Sequence, residues 1–160
     1  MREGAEIERE ADDSEALHLE AFLPYQLVRA AEKVSLGFSS IYKQRDGLTR
    51  PEWRVLASLA QMGTANATEI GAHASLHKTK VSRAVFALEQ RKWIKRREDA
   101  QDRRVAQLEL TRTGKARFAG LARIGRQYEA ALIERLGPRE AEALKSALEQ
   151  IAKMPLPERF

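Results

Sequence analysis

Apolar residues recur at every third or fourth position after Lys78, which predicts an amphipathic helix. Its apolar sector contains Val81, Ala84, Val85 and Leu88. Its opposite face contains Thr79, Arg83 and Gln90, with Lys80 and Ser82 on the flanks and Phe86 also on the polar side. Hydroxyl, amide and guanidinium groups on one outward face can reach base edges and phosphates in a DNA major groove. A solvated helix face is the alternative interpretation of this pattern.

A short helix is predicted immediately before this one. Asn66 and Glu69 have the spacing of a capping box, which predicts a helix over residues 67–73. A turn through residues 74–76 then leads into the amphipathic helix. Two short helices joined by a tight turn are typical of a helix-turn-helix.

Two strands are predicted next, at residues 93–97 and 105–110. Apolar and polar residues alternate from Ala106 to Leu110, as in a half-buried strand. The polar segment 98–104 lacks β-branched residues and predicts the tip of a hairpin. A hairpin that follows a helix-turn-helix predicts a wing, and an exposed arginine at its tip can enter a DNA minor groove.

Longer helical patterns flank this central region. A helix is predicted over residues 23–43, and a second one is capped by Thr49. On the C-terminal side, Thr111 caps a helix to about Leu136, and a last helix follows Gly137. The apolar positions of the outer helices include Leu27, Val34, Phe38, Leu144, Leu148 and Ile151. We expect a second copy of the chain to cover these stripes in a helical bundle, the alternative being a monomer whose helices fold back on itself.

Positive charge is concentrated in the helix and hairpin. Residues 76–104 contain ten Lys or Arg and four acidic residues, a net charge of +6, whereas the whole chain carries only +5. Such concentration favours a polyanionic partner, because each cation placed on a phosphate releases condensed counterions. Residues 1–20 have a net charge of −6, which argues against contact of this tail with DNA.

Composition places the chain among globular proteins. A length of 160 residues suffices for one domain with additional helices, and a hydrophobic fraction of 43% supports a core. The chain has no apolar run of 18 residues and its N-terminus is acidic, so we expect a cytoplasmic protein without a membrane segment.

The residues favour neither an enzyme nor a metal protein. The chain has no cysteine, and neither a glycine-rich phosphate loop nor a nucleophile elbow is present. Glu69, His73 and His77 are spaced four apart, as ligands on one helix could be, but the predicted turn separates the two histidines. We therefore expect no catalytic residue, no metal site and no cofactor.

Four segments of the central region resemble a known family. They are TEIGAHA at 68–74, KTKVSRAVFALE at 78–89, DRR at 102–104 and LTRTG at 110–114. Together they are similar to the winged helix of the MarR family of bacterial transcriptional regulators. The spacing from Asp102 to Gly114 is the most specific part, and the resemblance extends over roughly residues 23–154.

The resemblance implies a homodimeric repressor that binds a palindromic double-stranded DNA operator and responds to a small-molecule effector. By position it places Lys78, Thr79, Lys80, Ser82 and Arg83 in the recognition helix, with Arg103 or Arg104 at the wing tip. Lys92 stands where the family usually has glycine after the recognition helix. The end of that helix must therefore adopt another conformation or strain a residue other than glycine.

The effector is inferred from the resemblance alone. In the family, effectors bind in a cleft lined by the first, second and fifth helices, where this chain offers Phe38, Tyr42, Trp53 and Phe118. The alternative is that these aromatic residues are plain core. Residues 22–34 are similar to the first helix of MarR-type regulators of aromatic-acid catabolism, which implies an aromatic acid or its CoA thioester.

The predicted fold is mainly α with a small β wing, a winged helix-turn-helix with N- and C-terminal dimerisation helices. We predict an acidic tail over residues 1–20, a helical dimerisation region over 21–47 and 112–154, and a DNA-binding domain over 48–111. A winged-helix module that binds proteins, without sequence-specific DNA binding, is the alternative function.

Overall fold

A computed structural model describes residues 17–98 and 106–155. Within them, the chain forms six helices and three short strands. The helices are α1 (Leu23–Asp46), α2 (Arg50–Met62), α3 (Ala67–Ala74), α4 (Lys78–Gln90), α5 (Arg112–Leu136) and α6 (Pro138–Lys153). The strands are β1 (Thr64–Ala65), β2 (Ile94–Glu98) and β3 (Ala106–Leu110).

The chain divides into two compact units, Met1–Ile41 and Tyr42–Phe160. The predicted fold class, mainly α with a small β wing, is confirmed.

Local sequence signals start helices α2 and α3 as predicted. The Thr49 side chain caps α2, and the Glu52 carboxylate accepts the Thr49 backbone N–H at 3.0 Å. Asn66 does the same for α3: its side-chain oxygen accepts the Thr68 and Glu69 N–H groups at 2.9 and 3.0 Å. The Glu69 carboxylate accepts the Asn66 N–H at 2.7 Å. Each capping box satisfies N–H groups that a helix start otherwise leaves unpaired.

The core of the second unit lies between α2, α3, α4 and the sheet. The predicted apolar sector of α4 is confirmed, since Val81, Ala84, Val85 and Leu88 are all buried. Leu56 and Leu59 of α2 and Ile70 of α3 have no exposed surface. Burial of large aliphatic side chains at about 25 cal/mol per Å² is the main force that holds these short helices together.

The three strands form an antiparallel sheet in the order β1-β3-β2. In this register Ile94 lies opposite Leu110 and Glu98 lies opposite Ala106. Strand β2 begins one residue later than predicted, because the Trp93 N–H donates to the Leu88 carbonyl and closes α4 instead. The predicted hairpin tip began at residue 98, but Glu98 still belongs to the strand. The rest of that tip, residues 99–104 with Arg103 and Arg104, lies outside the described residues.

Two residues after helix α4 ends at Gln90, a lysine adopts a left-handed conformation. Lys92 has φ = 59°, a region that favours glycine. Its N–H donates to the Glu89 carbonyl at 2.8 Å, and the Trp93 N–H donates to the Leu88 carbonyl at 3.0 Å. These are the two hydrogen bonds of a Schellman motif. Of the two alternatives for this helix end, the strained residue is confirmed.

The turn of the helix-turn-helix is built in the same way. Ser75 has φ = 52°, and the Leu76 N–H donates to the Gly71 carbonyl at 2.9 Å. A serine thus takes the conformation that glycine would adopt more easily. Helix α3 extends to Ala74, one residue beyond the prediction.

Within the described part of the chain, no helix is both long and apolar enough to cross a lipid bilayer.

Candidate nucleic-acid interface

Helix α4 presents a polar face to solvent, opposite its buried sector. Lys78, Thr79, Lys80, Ser82 and Arg83 are all exposed. One sector of about 100° contains Thr79 and the residues that follow it by three, four and seven positions, namely Ser82, Arg83 and Phe86. We call these four residues the exposed α4 face. The structure thus places Thr79, Ser82 and Arg83 of the predicted recognition helix in one sector, while Lys78 and Lys80 are exposed on either side of it.

The first turn of α4 adds positive potential to this surface. His77 precedes the helix and makes no side-chain hydrogen bond to its first N–H groups. Lys78 and Lys80 stand at the same end of the helix. The partial positive charge of a helix N-terminus and two ammonium groups both favour an anion such as a phosphate.

Two cations of strand β2 pair with one carboxylate of strand β3. Lys95 Nζ lies 2.8 Å from Glu109 Oε1, and Arg97 Nη1 lies 3.5 Å from Glu109 Oε2. The hydrogen bond from Lys95, with the charge of Arg97 nearby, lowers the pKa of Glu109 below its usual value. Glu109 therefore stays ionised and its charge is neutralised locally.

Arg96 links the wing to α4. Its guanidinium donates to both carboxylate oxygens of Glu89, at 2.6 and 3.0 Å. This hydrogen bonding raises the pKa of Arg96 above its ordinary value. The bidentate pair fixes strand β2 against the helix and neutralises an acidic group that would otherwise repel DNA next to the exposed α4 face.

A cleft of about 570 Å³ lies between the start of α3, helix α4 and the sheet. Thr68, Ser82 and Arg96 contribute polar side chains to it, and Val85 and Leu108 form its apolar floor. The helix and the wing are thus separate ridges on one surface, as a protein needs to engage a groove and the neighbouring backbone together.

Arg91 does not belong to this surface, although its charge was counted with the basic segment. Its Nη1 donates to the Asp46 carbonyl at 2.6 Å and its Nη2 to the Gly47 carbonyl at 2.9 Å. The guanidinium also lies 5.5 Å from the centre of the Trp93 ring. Arg117 lies 5.7 Å from the same ring and pairs with the Asp46 carboxylate at 3.2 Å. Arg91 therefore ties the end of α4 to the end of α1, and no local sequence signal distinguished it from the other cations.

The LTRTG segment joins the wing to α5 through a very close backbone approach. Thr111 Oγ1 accepts the Gly114 N–H at 3.0 Å and donates to the Lys92 carbonyl at 2.7 Å. The Thr111 N–H donates to the Trp93 carbonyl at 2.9 Å. A Cβ atom on Gly114 would lie 2.0 Å from that carbonyl oxygen. The glycine of the motif is thus required by packing.

Three of the four aromatic residues proposed for the effector form a stack. The Tyr42 and Trp53 rings are 5.7 Å apart at an interplanar angle of 22°, and the Trp53 and Phe118 rings are 5.9 Å apart at 18°. Tyr42 is only 2% exposed. Phe38 lies in the first unit of the chain, on α1, where it is half-buried.

Two clefts adjoin this stack. One of about 350 Å³ is lined by Trp53, Arg54 and His73 among others, and one of about 340 Å³ by Phe118 and Lys115 among others. Each cleft places a cationic or imidazole side chain beside an aromatic ring, which suits a ligand with an aromatic and an anionic part.

The three residues with metal-ligand spacing do not share one helix. Glu69 and His73 lie on α3, whereas His77 follows the turn at Ser75 and precedes α4. The His73 ring is engaged elsewhere, since its Nδ1 lies 2.9 Å from the buried Ser58 hydroxyl. Among residues 17–98 and 106–155, no three His, Asp or Glu side chains are grouped as metal ligands would be.

Comparison with known proteins connects this surface to a family. The sequence model of the MarR family matches residues 48–106, which include α2, the helix-turn-helix and strand β2 and end at the first residue of β3. The transcriptional repressor CouR, solved bound to a 23-mer DNA duplex, is 31% identical with a TM-score of 0.76. The match covers 84% of this chain and 95% of CouR. No curated protein matches the chain.

Further solved structures have the same fold. The MarR family transcriptional regulator SPO1453 from Silicibacter pomeroyi DSS-3 is 26% identical, with a TM-score of 0.76 over 86% of this chain and 97% of that one. BpsR from Bordetella bronchiseptica, whose DNA binding is regulated by 6-hydroxynicotinic acid, is 21% identical with a TM-score of 0.74. That match covers 88% of this chain and 99% of BpsR. With its helix-turn-helix, its wing and these relatives, the chain belongs to the MarR family of transcriptional regulators.

Proposed function

We propose that the protein is a homodimeric repressor that binds a palindromic DNA operator and releases it when a small aromatic acid or its CoA thioester binds. The observation that carries DNA binding is the exposed α4 face, which projects Thr79, Ser82 and Arg83 opposite a fully buried sector. The DNA complex of the 31% identical CouR supports the same assignment. We assign residues 48–111 to DNA binding, and residues 21–47 and 112–154 to dimerisation.

Arg83 provides the test of this assignment. Its guanidinium is exposed and can donate two hydrogen bonds to a guanine edge. We expect Arg83→Ala to weaken operator binding by about 1 to 3 kcal/mol and to leave the circular dichroism spectrum unchanged. Affinity is measured by fluorescence anisotropy on an operator selected from random DNA.

Arg139→Ala, which removes an exposed arginine from α6, is the matched control and should bind almost as the wild type does. Wild-type affinity of Arg83→Ala would reject α4 as the recognition helix. Failure of the wild type to enrich any sequence, with only weak unspecific retention of DNA, would instead favour the protein-interaction module.

The wing extends the interface in this proposal. Arg103 and Arg104 belong to the segment that connects β2 to β3, and we propose that one of them enters the minor groove. Replacing both with alanine should reduce the slope of log affinity against log salt by about one unit per lost phosphate contact. An unchanged slope would place both side chains away from DNA.

The effector half of the proposal rests on the aromatic residues and on the two clefts that Trp53 and Phe118 line. Phe38, Tyr42, Trp53 and Phe118 are the proposed contacts, and Arg54 or Lys115 could pair with a carboxylate. We expect benzoic, hydroxybenzoic or phenylacetic acid, or one of their CoA thioesters, to lower operator affinity by about 5- to 150-fold. Acetate and free CoA are the controls. Equal operator affinity in the presence of all these acids and thioesters would refute an aromatic-acid effector.

A further inference from the structure

The exposed α4 face contains one residue that hydrogen bonding to DNA does not explain. Phe86 is 62% exposed, although a large aromatic side chain gains free energy when it leaves water. It follows Thr79, Ser82 and Arg83 by seven, four and three residues, so its ring lies along the same side of the helix as the proposed DNA contacts.

The neighbours of Phe86 suit contact with DNA. One helical turn before it stands Arg83, and one turn after it stands Glu89, whose carboxylate is held by Arg96 at 2.6 and 3.0 Å. Without that pair, a free carboxylate beside Phe86 would repel phosphates. The ring therefore sits between a cation and a neutralised ion pair, on a surface that attracts a polyanion.

A second copy of the chain is a poor partner for this ring. Two recognition helices that occupy successive major grooves are held about 34 Å apart, which is too far for their aromatic side chains to meet. In the proposed complex, each of the two helices contacts the edges of base pairs instead. On the major-groove edge, the C5-methyl group of thymine is the apolar feature that distinguishes one base from the others.

We propose that Phe86 is a specificity-determining residue that packs against the 5-methyl group of a thymine in each half-site of the operator. This inference rests on the proposed function, because it requires α4 to lie in the major groove. The ring offers no hydrogen bond to any base edge. Its contribution to sequence preference is therefore van der Waals contact and removal of the methyl group from water.

The test removes the methyl group from the DNA and the ring from the protein independently. An operator is selected from random DNA with the wild-type protein, and each symmetry-related pair of thymines is then replaced by deoxyuridine. Burial of one methyl group corresponds to about fourfold in affinity, so the pair that meets Phe86 should lose about 16-fold for the dimer. Phe86→Ala should bind the thymine operator more weakly and bind the thymine and deoxyuridine versions equally.

The outcomes separate this inference from the proposed function. Phe86→Leu, which keeps an apolar side chain, should retain part of the preference for thymine. If Phe86→Ala shows the wild-type ratio of thymine to deoxyuridine affinity at every position, Phe86 does not contact a methyl group and the inference is wrong, while operator binding stands. If the wild type enriches no DNA sequence at all, the proposed function fails and this inference fails with it. Because the side chain is largely exposed, the circular dichroism spectra of both variants should match the wild type.

Discussion

Gly114→Ala is expected to lower the free energy of unfolding by about 2 kcal/mol or more, even though alanine is the better helix former. Helix propensity alone would favour alanine, by about 1 kcal/mol in a helix interior and by less in the first turn of α5, where Gly114 lies. A Cβ atom at this position, however, would lie 2.0 Å from the Trp93 carbonyl oxygen and 2.9 Å from its carbonyl carbon. Both atoms are backbone, so no side-chain rotation relieves the contact, and overpacking of this kind costs about 1 to 3 kcal/mol or more beyond the propensity gain.

Urea denaturation followed by circular dichroism measures this effect. Gly120→Ala is the matched control on the same helix, because there the added Cβ meets only the end of the Arg45 side chain, at 2.9 Å. That side chain can move, so Gly120→Ala should be neutral or slightly stabilising. Equal stability of the two variants would mean that α5 does not approach Trp93 as closely as described. Operator affinity should also fall in Gly114→Ala, because Lys92 and Trp93 close the C-terminal end of α4, the proposed recognition helix.

Charged substitutions at Leu148 and Ile151 are expected to abolish specific operator binding by producing monomers. Leu144 and Leu148 of α6 are 43% and 48% exposed, and Val34 of the predicted stripe on α1 is 37% exposed. Apolar stripes of this extent on outer helices are typical of a surface that another subunit covers. In the proposed complex, one chain contributes one recognition helix. A palindrome is therefore bound cooperatively only when a second copy of the chain supplies another recognition helix about 34 Å away.

Light scattering tests this directly. The wild type should have about twice the 18.1 kDa mass of the chain without DNA, whereas Leu148→Glu with Ile151→Glu should have the mass of one chain. Its winged helix should stay folded, since the core of that domain lies in α2, α3, α4 and the sheet. Met62→Glu, at the end of α2 and 37% exposed, is the control and should remain dimeric. A monomeric wild type that binds a palindrome with full affinity would refute the architecture.

Much of the helix-turn-helix could be predicted because its signals are local. The Asn66 and Glu69 capping box and the apolar sector of α4 each span only a few residues, and helix geometry alone decides which of them share a side. The same geometry put Thr79, Ser82, Arg83 and Phe86 outward. The left-handed Lys92 could be anticipated as well, because a chain that turns sharply after a helix needs a residue there with positive φ.

Tertiary structure decided what depends on residues far apart in the chain. Strand β1 has only two residues, too few for a detectable alternation, and exists because Ala65 pairs with Leu108. Arg91 carries the charge expected of a DNA contact, yet its guanidinium is bound by the carbonyls of Asp46 and Gly47. These two residues precede Arg91 in the chain by 45 and 44 positions. Gly114 is required by the Trp93 carbonyl on another segment. Local periodicity fixes which side of an element is apolar, whereas hydrogen bonds and close contacts between elements depend on how those sides come together.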